Sequence, residues 1–136
     1  MTKISDLIQA AKDEVVEPKT GSHTVAVAGK VIELVFTRLD PMAWRDLVAV
    51  FPPRAKVARD MNLGYNYDLV PAGYPVDRIR LLLDGEELET SQDEWRELFG
   101  VLESPDLFAI STLLWGMHEW EPQQNSKKAL GASKRK

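Results

Sequence analysis

The chain contains no cysteine and only two histidines among its 136 residues. Without cysteine there can be no disulfide, no thiolate nucleophile and no cysteine-bound zinc. A cysteine-free sequence fits a reducing compartment, so we expect the protein in the cytoplasm. Neither His23 nor His118 has a second ligand at the spacing of a helical metal motif. We therefore predict no metal site and interpret both as surface or partly buried side chains.

Long apolar runs are missing as well. The longest, around residues 107–117, has about half of the roughly 20 residues that a membrane helix needs. The first 17 residues carry acids where a signal peptide has a continuous apolar stretch. We therefore expect neither a signal peptide nor a membrane span.

Motifs of catalytic sites are also absent. Gly29-Lys30 follows a predicted strand but lacks the earlier Gly and the following Ser or Thr of a phosphate loop. Glu86 and Glu87 lie beside a glycine turn, which is typical of a solvated edge, whereas a catalytic carboxylate pair needs an apolar pocket. No Gly-x-Ser-x-Gly elbow occurs. We predict a protein that is not an enzyme and binds no cofactor.

Charge is distributed unevenly along the chain. Residues 127–136 contain five basic residues and no acid, so residues 1–126 have a net charge of −9, against −4 for the whole chain. Nine acids lie within residues 84–106, where Arg96 is the one basic residue. An acidic body repels nucleic acid, so nucleic acid is not an expected partner. A basic partner, or solubility alone, explains the charge better.

Hydrophobic patterns and turn residues predict one α+β domain, since 136 residues support a single core. We predict an amphipathic helix over residues 4–15, and strands over 23–28 and 30–39 that turn near Gly29. Residues 61–76 are interpreted as an irregular loop, Asp84-Gly85 as a turn, and residues 76–83 fit either a strand or a short helix. Helix starts are indicated at Asp40-Pro41, at Ser91 with Glu94, and at Ser104-Pro105, and Glu121-Pro122 is expected to end the last helix.

The predicted organisation has three parts. Residues 1–22 form an N-terminal arm with the short helix, residues 23–120 form the globular domain, and residues 121–136 form a disordered basic tail. Within the domain a small β-hairpin precedes a mainly helical part.

Exposed aromatic and apolar side chains are the candidate partner-binding residues. Aromatic side chains are enriched at interaction anchors, although tryptophans lie in a core more often and tyrosines commonly lie over a domain surface. The candidates are Leu113, Trp115, Met117 and Trp120 of the apolar segment, and Tyr65, Tyr67 and Tyr74 of the irregular loop.

The chain resembles the tail assembly chaperones of long-tailed bacteriophages, of the type found in phages of actinobacteria. The likeness is carried by DEWRELFGVLESPDLFAISTLLWGMHEW (residues 93–120), by the tail SKKALGASKRK, and by the N-terminal arm, small β segment and Asp40-Pro41 helix with Trp44. The resemblance implies a protein of the host cell cytoplasm that binds the tape measure protein and keeps it soluble during tail tube polymerisation. Such a chaperone is absent from the finished virion.

The resemblance also implies particular partners and a feature of the gene. Partners would be the tape measure protein, the tail tube protein, a longer frameshifted form of the chain, and a second copy of the chain. Lys127-Lys128 would mark the programmed ribosomal frameshift, since two lysine codons can form a run of adenines. A groove between the Trp95 and Trp115 helices, rimmed by the acids of residues 84–106, would hold a helix of the partner.

Two other functions fit the sequence. A structural virion protein, such as a head–tail connector or tail-completion subunit, would be found in purified particles. A small nucleic-acid-binding regulator would bind DNA through the basic tail, with a strong dependence on salt.

Overall fold

A four-stranded antiparallel sheet lies beside a larger helical part in the computed structural model, which describes residues 3–14 and 19–134. This arrangement confirms the α+β class. Val15, predicted to lie on the first helix, and Arg135 and Lys136 fall outside the described residues. The elements are α1 (Ile4–Asp13), β1 (Thr20–Val27), β2 (Lys30–Thr37), α2 (Pro41–Ala49), α3 (Ala58–Leu63), β3 (Ile79–Leu83), β4 (Glu86–Leu88), α4 (Gln92–Val101), α5 (Ser104–Trp115) and α6 (Glu121–Lys134).

The sheet is a meander in the order β1-β2-β3-β4. Ala28-Gly29 and Asp84-Gly85 join its hairpins, and all four residues have positive φ, as two-residue type I′ turns require. Both predicted turns are confirmed. The sheet is larger than the predicted hairpin because Ile79–Leu83 forms a strand beside β2, after a 3₁₀ turn at Val76–Arg78. β1 begins at Thr20, before the predicted start of the domain.

One face of the sheet carries the core. Ile32, Leu34 and Phe36 alternate along β2 and are buried, because successive side chains of a strand point to opposite faces. Trp95 of α4 packs edge-on against Phe36, and its indole nitrogen donates to the Pro71 carbonyl at 2.8 Å. The core thus lies between the sheet and α4 and α5, with Ile110 and Leu114 as fully buried residues of α5.

Side-chain caps set two of the helix starts. Asp40 Oδ1 accepts from the Ala43 amide at 2.7 Å, and Ser91 and Glu94 form the predicted reciprocal capping box. Ser104 was expected to cap α5, but it is the first helical residue, and Glu103 occupies the cap position without a side-chain hydrogen bond.

The last helix does not end at Glu121-Pro122, and residues 121–134 are helical rather than disordered. A proline ring in a regular α-helix clashes with the carbonyl four residues earlier. Here Gly116–Trp120 form a π-turn, in which the Glu121 amide donates to the Gly116 carbonyl five residues earlier. This wider turn directly before Pro122 gives the ring room. α5, the π-turn and α6 therefore form one helix over residues 104–134, about 45 Å long.

Most residues between 65 and 74, within the segment predicted to be an irregular loop, are buried in the core. The chain leaves α3 at Gly64, which adopts the left-handed conformation, and returns through a 3₁₀ turn at Val70–Gly73. That turn packs closely on α2, since a Cβ on Gly73 would lie 2.6 Å from the Phe51 ring and 3.2 Å from Leu47.

Replacing Gly73 by Ala is expected to lower the free energy of unfolding by about 1–2 kcal/mol, because the added methyl overpacks this contact. Chemical denaturation measures the change. Gly100→Ala is the matched control, since its Cβ would meet nothing within 4 Å and alanine favours the helix. Equal stability of the two variants would contradict the close contact at Gly73.

Candidate protein-interaction surface

An open, mostly apolar groove of about 480 Å³ lies between α3 and α5. Phe108 extends this surface two turns before Trp115 on α5 and is 55% exposed. An exposed aromatic next to an apolar groove is typical of a protein-interaction surface. The lining residues are Arg59, Asn62, Leu63, Tyr67 and Trp115.

Hydrogen bonds and ring contacts hold the groove wall in place. The Arg59 guanidinium lies 4.3 Å from the centre of the Tyr67 ring and 5.8 Å from that of Phe108, within the range of cation–π attraction. Arg59 also donates to Asp68 at 3.0 Å. The Tyr67 hydroxyl and Thr112 Oγ1 are 2.6 Å apart. The wall therefore combines the aromatic rings of Tyr67 and Phe108 with Arg59, whose charge is paired with Asp68.

Asp60, with no exposed surface, anchors the segment that carries this wall. Its carboxylate accepts from the Arg54 amide at 3.1 Å, from Arg54 Nε at 2.7 Å and Nη2 at 3.1 Å, and from the Tyr67 amide at 3.3 Å. These hydrogen bonds, led by those of the Arg54 side chain, lower the pKa of Asp60 to about 2 although burial acts in the opposite direction. Asp60 thus fixes the backbone at Tyr67.

A second pocket, of about 450 Å³, lies between α2 and the π-turn, where Trp44, Tyr65, His118 and Glu119 line it. The His118 ring stacks on Trp44 with centroids 4.1 Å apart. His118 Nε2 accepts from the Leu39 amide at 3.0 Å, and Nδ1 lies 2.8 Å from the Leu114 carbonyl. These partners select the neutral ring with its proton on Nδ1.

Burial, with a smaller contribution from the charge of Arg38, lowers the pKa of His118 to about 4, although the Leu114 carbonyl acts in the opposite direction. Burial also raises the pKa of Tyr65, and the neighbouring Glu119 adds to this rise. One Glu119 carboxylate oxygen is buried without a hydrogen-bond partner among the residues that the structure describes. The side chains around this pocket therefore stabilise the fold through contacts with one another.

A third hollow surrounds Trp120, which is 48% exposed. It has a volume of about 270 Å³ between the start of β1 and α6. Lys19 and Glu121 form an ion pair across it at 2.7 Å. Lys127 and Lys128, the predicted frameshift region, lie on the exposed part of α6.

The structure divides the predicted partner-binding residues into two groups. Trp115 and Trp120 reach the surface, and Leu113 is partly buried. The prediction of a solvent-accessible surface is wrong for Met117, Tyr65, Tyr67 and Tyr74, which are buried in the core. Tyr74 is held there by its hydroxyl, which donates to the Thr37 carbonyl at 2.6 Å, and Tyr67 contributes only as part of the groove lining.

Trp95 cannot line the predicted groove between its helix and that of Trp115, because it has no exposed surface. α3 supplies the second wall, and the charged lining residue is Arg59 rather than an acid of residues 84–106. Sequence reasoning missed Arg59, Leu63 and Phe108. The seven-residue spacing of Phe108 and Trp115 on one helical face is a signal for Phe108, whereas no local pattern indicates the two residues of α3.

Neither the described residues nor known proteins indicate a particular class for this chain. Within residues 3–14 and 19–134, no group of three or more His, Asp or Glu side chains is placed to hold a metal ion. The described helices include none that is long and apolar enough to cross a membrane. Comparison of the chain with protein-family models, curated proteins and solved structures gives no significant match.

Proposed function

We propose that the chain is a phage tail assembly chaperone, which binds the tape measure protein in the host cytoplasm and keeps it soluble while the tail tube polymerises. In this role it has no catalytic activity and is absent from the mature virion. The observation that carries the proposal is the open aromatic groove between α3 and α5, with Trp115 in its lining and Phe108 exposed beside it.

The dimensions of the groove suit one face of a helix. Phe108 and Trp115 are seven residues apart on α5, a distance of about 10 Å, or two helical turns. An amphipathic helix presents anchors at positions i, i+3, i+4 and i+7 over the same length. A tape measure protein exposes long apolar helical faces until the tube covers them.

Charge supports the second half of the proposal, which is that the complex stays soluble. Residues 1–126 have a net charge of −9, and the acids of residues 84–103 are exposed. A net charge far from zero opposes association of complexes whose apolar surface is incompletely covered.

Co-expression with the tape measure protein tests the proposal. Trp115→Ala and Phe108→Ala are each expected to weaken binding at least about tenfold, because buried aromatic anchors dominate such interfaces. Trp120→Ala is expected to reduce binding as well. Pull-down and the soluble fraction of the tape measure protein are the measurements. Val101→Ala is the control, since Val101 is also an exposed apolar residue but lies on α4.

Retention of full binding by the Trp115→Ala and Phe108→Ala variants would contradict the groove as the binding site. Failure of the wild-type chain to bind or solubilise the tape measure protein would contradict the chaperone function itself. Finding the chain in purified particles would instead favour a structural virion protein, such as a connector or tail-completion subunit. Salt-dependent DNA binding that is lost on removal of residues 121–136 would favour a nucleic-acid-binding regulator.

The proposal includes a longer form of the chain made by frameshifting at Lys127-Lys128, with the tail tube protein as a further contact during assembly. The coding sequence tests it directly, because a slippery heptanucleotide should span these two codons. Mass spectrometry of phage-infected cells should then detect peptides that join residues before Lys127 to the second reading frame.

A further inference from the structure

The two edges of the sheet are built differently. β4 is a three-residue strand with Glu86 and Glu87 exposed, and short, charged strands are a common protection against pairing with other chains. β1 has eight residues and pairs with β2 without interruption from Thr20 to Val27. Its sequence, TGSHTVAV, contains no proline, lysine or acid. β1 is therefore a long, regular and unprotected edge.

The hydrogen bonds of β1 define which backbone groups are free. The Arg38 amide donates to the Lys19 carbonyl at 2.9 Å, so these opposite residues form a hydrogen-bonded pair. Because such pairs alternate in antiparallel strands, Gly21, His23, Val25 and Val27 bond to β2. The outward-facing residues are Thr20, Ser22, Thr24 and Ala26, whose side chains are exposed and whose backbone groups bond to no other element within the described ranges.

The helix that precedes β1 is exposed on all sides within the part of the chain that the structure describes. None of the α1 residues is buried against the rest of the described chain, and the apolar side chains Ile4, Leu7 and Ile8 are 71%, 57% and 48% exposed. An isolated helix shorter than about 12 residues is marginal in water, and α1 has ten. A stable α1 therefore needs another surface for its apolar side.

We propose that the chain forms a two-fold symmetric dimer in which β1 pairs antiparallel with β1 of a second copy, giving one continuous eight-stranded sheet. The register that uses all outward residues places Thr20 opposite Ala26 of the partner subunit and Ser22 opposite Thr24 of the partner subunit. It forms about eight new backbone hydrogen bonds. α1 packs its apolar side on the other subunit.

A second copy fits this edge because the outward pairs, Thr20 with Ala26 and Ser22 with Thr24, are uncharged and small. Ser–Thr pairs across strands are favourable. The same register sets His23 opposite His23 of the partner subunit, and each of these rings is bonded to Asp106 of its own subunit. Pairing of the edge alone covers less than the roughly 800 Å² per subunit of a stable interface. The exposed apolar side of α1, which directly precedes β1 in the chain, supplies further area.

The dimer does not rest on the proposed chaperone function. α5 contacts β1 through Asp106, which bonds to His23 at 2.9 Å, and through Leu113, which lies beside Gly21. Phe108 and Trp115 belong to a different side of α5, which lines the groove. Loss of dimerisation and loss of tape measure binding are therefore separable by mutation.

Light scattering and hydrogen exchange of the wild-type chain provide the first test. We expect a mass twice that of the 15.3 kDa chain, and protection of the Ser22 and Thr24 amides that falls as the protein is diluted. A monomer, or an assembly in which these amides exchange freely, would overturn the proposal. If the protein is a monomer and an added extended peptide protects the Ser22 and Thr24 amides, the edge binds that peptide and not a second copy.

Opposite charges at the edge provide the second test. Ser22→Lys with Thr24→Lys, and Ser22→Glu with Thr24→Glu, should each weaken the dimer at least about tenfold, because like charges then face each other. An equimolar mixture of the two variants should restore it. Ala49→Lys with Val50→Lys, on the exposed end of α2, should remain dimeric. The proposal would be overturned if either edge variant alone forms dimers, or if the mixture forms none. If a variant does not fold, the amide exchange of the wild-type chain decides.

Discussion

Lowering the pH from 6.5 to 4 is expected to reduce the free energy of unfolding by about 3 kcal/mol through His118 alone. In the unfolded chain this imidazole takes up a proton near its ordinary value of 6.5, whereas burial lowers its pKa to about 4 in the folded protein. Proton uptake between these values therefore favours unfolding. The contribution is fully present above pH 6.5 and is lost as the pH falls to 4.

The neutral ring explains the direction of this effect. A protonated Nε2 could no longer accept from the Leu39 amide, which lies at 3.0 Å. It would also place a positive charge near Arg38 in a buried site. Such a site offers no carboxylate hydrogen bond to the ring among the described residues.

Urea denaturation at pH 7, 5.5 and 4 measures the effect. His118→Gln should lower stability at pH 7, because the ring that stacks on Trp44 is lost, and it should remove most of the loss between pH 6.5 and 4. His23→Gln removes the other histidine and should retain that loss. A wild-type protein whose stability is unchanged across this window would contradict a buried neutral His118.

Replacing Asp60 by Ala is expected to destabilise the protein by about 3 kcal/mol, since the buried carboxylate accepts four hydrogen bonds and a buried donor left unpaired costs about 1–3 kcal/mol. The Arg54 and Tyr67 amides would lose their acceptor, and the Arg54 side chain would keep only its hydrogen bond to Asp68. Asp68→Ala is the matched control, because Asp68 also binds Arg54 but is half exposed. An exposed pair contributes at most about 1 kcal/mol.

The Asp60 carboxylate should make the free energy of unfolding depend on pH in a second range, below that of His118. The pKa of Asp60 is lowered from 3.8 to about 2, so its contribution of about 2 kcal/mol is present above pH 3.8 and is lost as the pH falls to 2. Thermal melts between pH 4 and pH 2 should show a smaller decline for Asp60→Asn than for the wild type. Equal stability of Asp60→Ala and Asp68→Ala at pH 7 would contradict the role of Asp60 as an anchor.

Asp60 connects stability to the proposed binding surface. Because it holds the Tyr67 amide, its loss should loosen the ring that lies under Arg59. Asp60→Asn is therefore expected to weaken tape measure binding more than Asp68→Asn at a temperature where both variants are folded.

Short-range signals in the sequence predicted much of the secondary structure. The cap at Asp40 and the capping box at Ser91 and Glu94 depend on residues within one helical turn. The Gly29 and Gly85 turns depend on positive φ at neighbouring positions. Each of these features is decided locally, so the residues that cause it stand together in the chain.

Sequence reasoning about the site was less successful, because exposure is a property of the whole fold. Three tyrosines in an irregular segment favoured a surface loop, but the Asp60 network with Arg54 and Tyr67 folds that segment into the core. Trp95 and Trp115 have similar local patterns. Trp95 is buried under Phe36 of the sheet, whereas Trp115 faces α3 and reaches the groove.

The sequence by itself determined the α+β class, the two hairpin turns, the helix starts and the unequal charge, since each follows from residue type and near neighbours. Tertiary structure decided that β3 completes the sheet, that Leu63 of α3 and Trp115 of α5 meet, and that β1 is left open at the edge. Contacts between residues far apart in the chain depend on how all elements pack together, which no local pattern encodes. The passage of the last helix through Pro122 also lay beyond the local proline rule, because a wider turn before the ring removes the clash on which that rule rests.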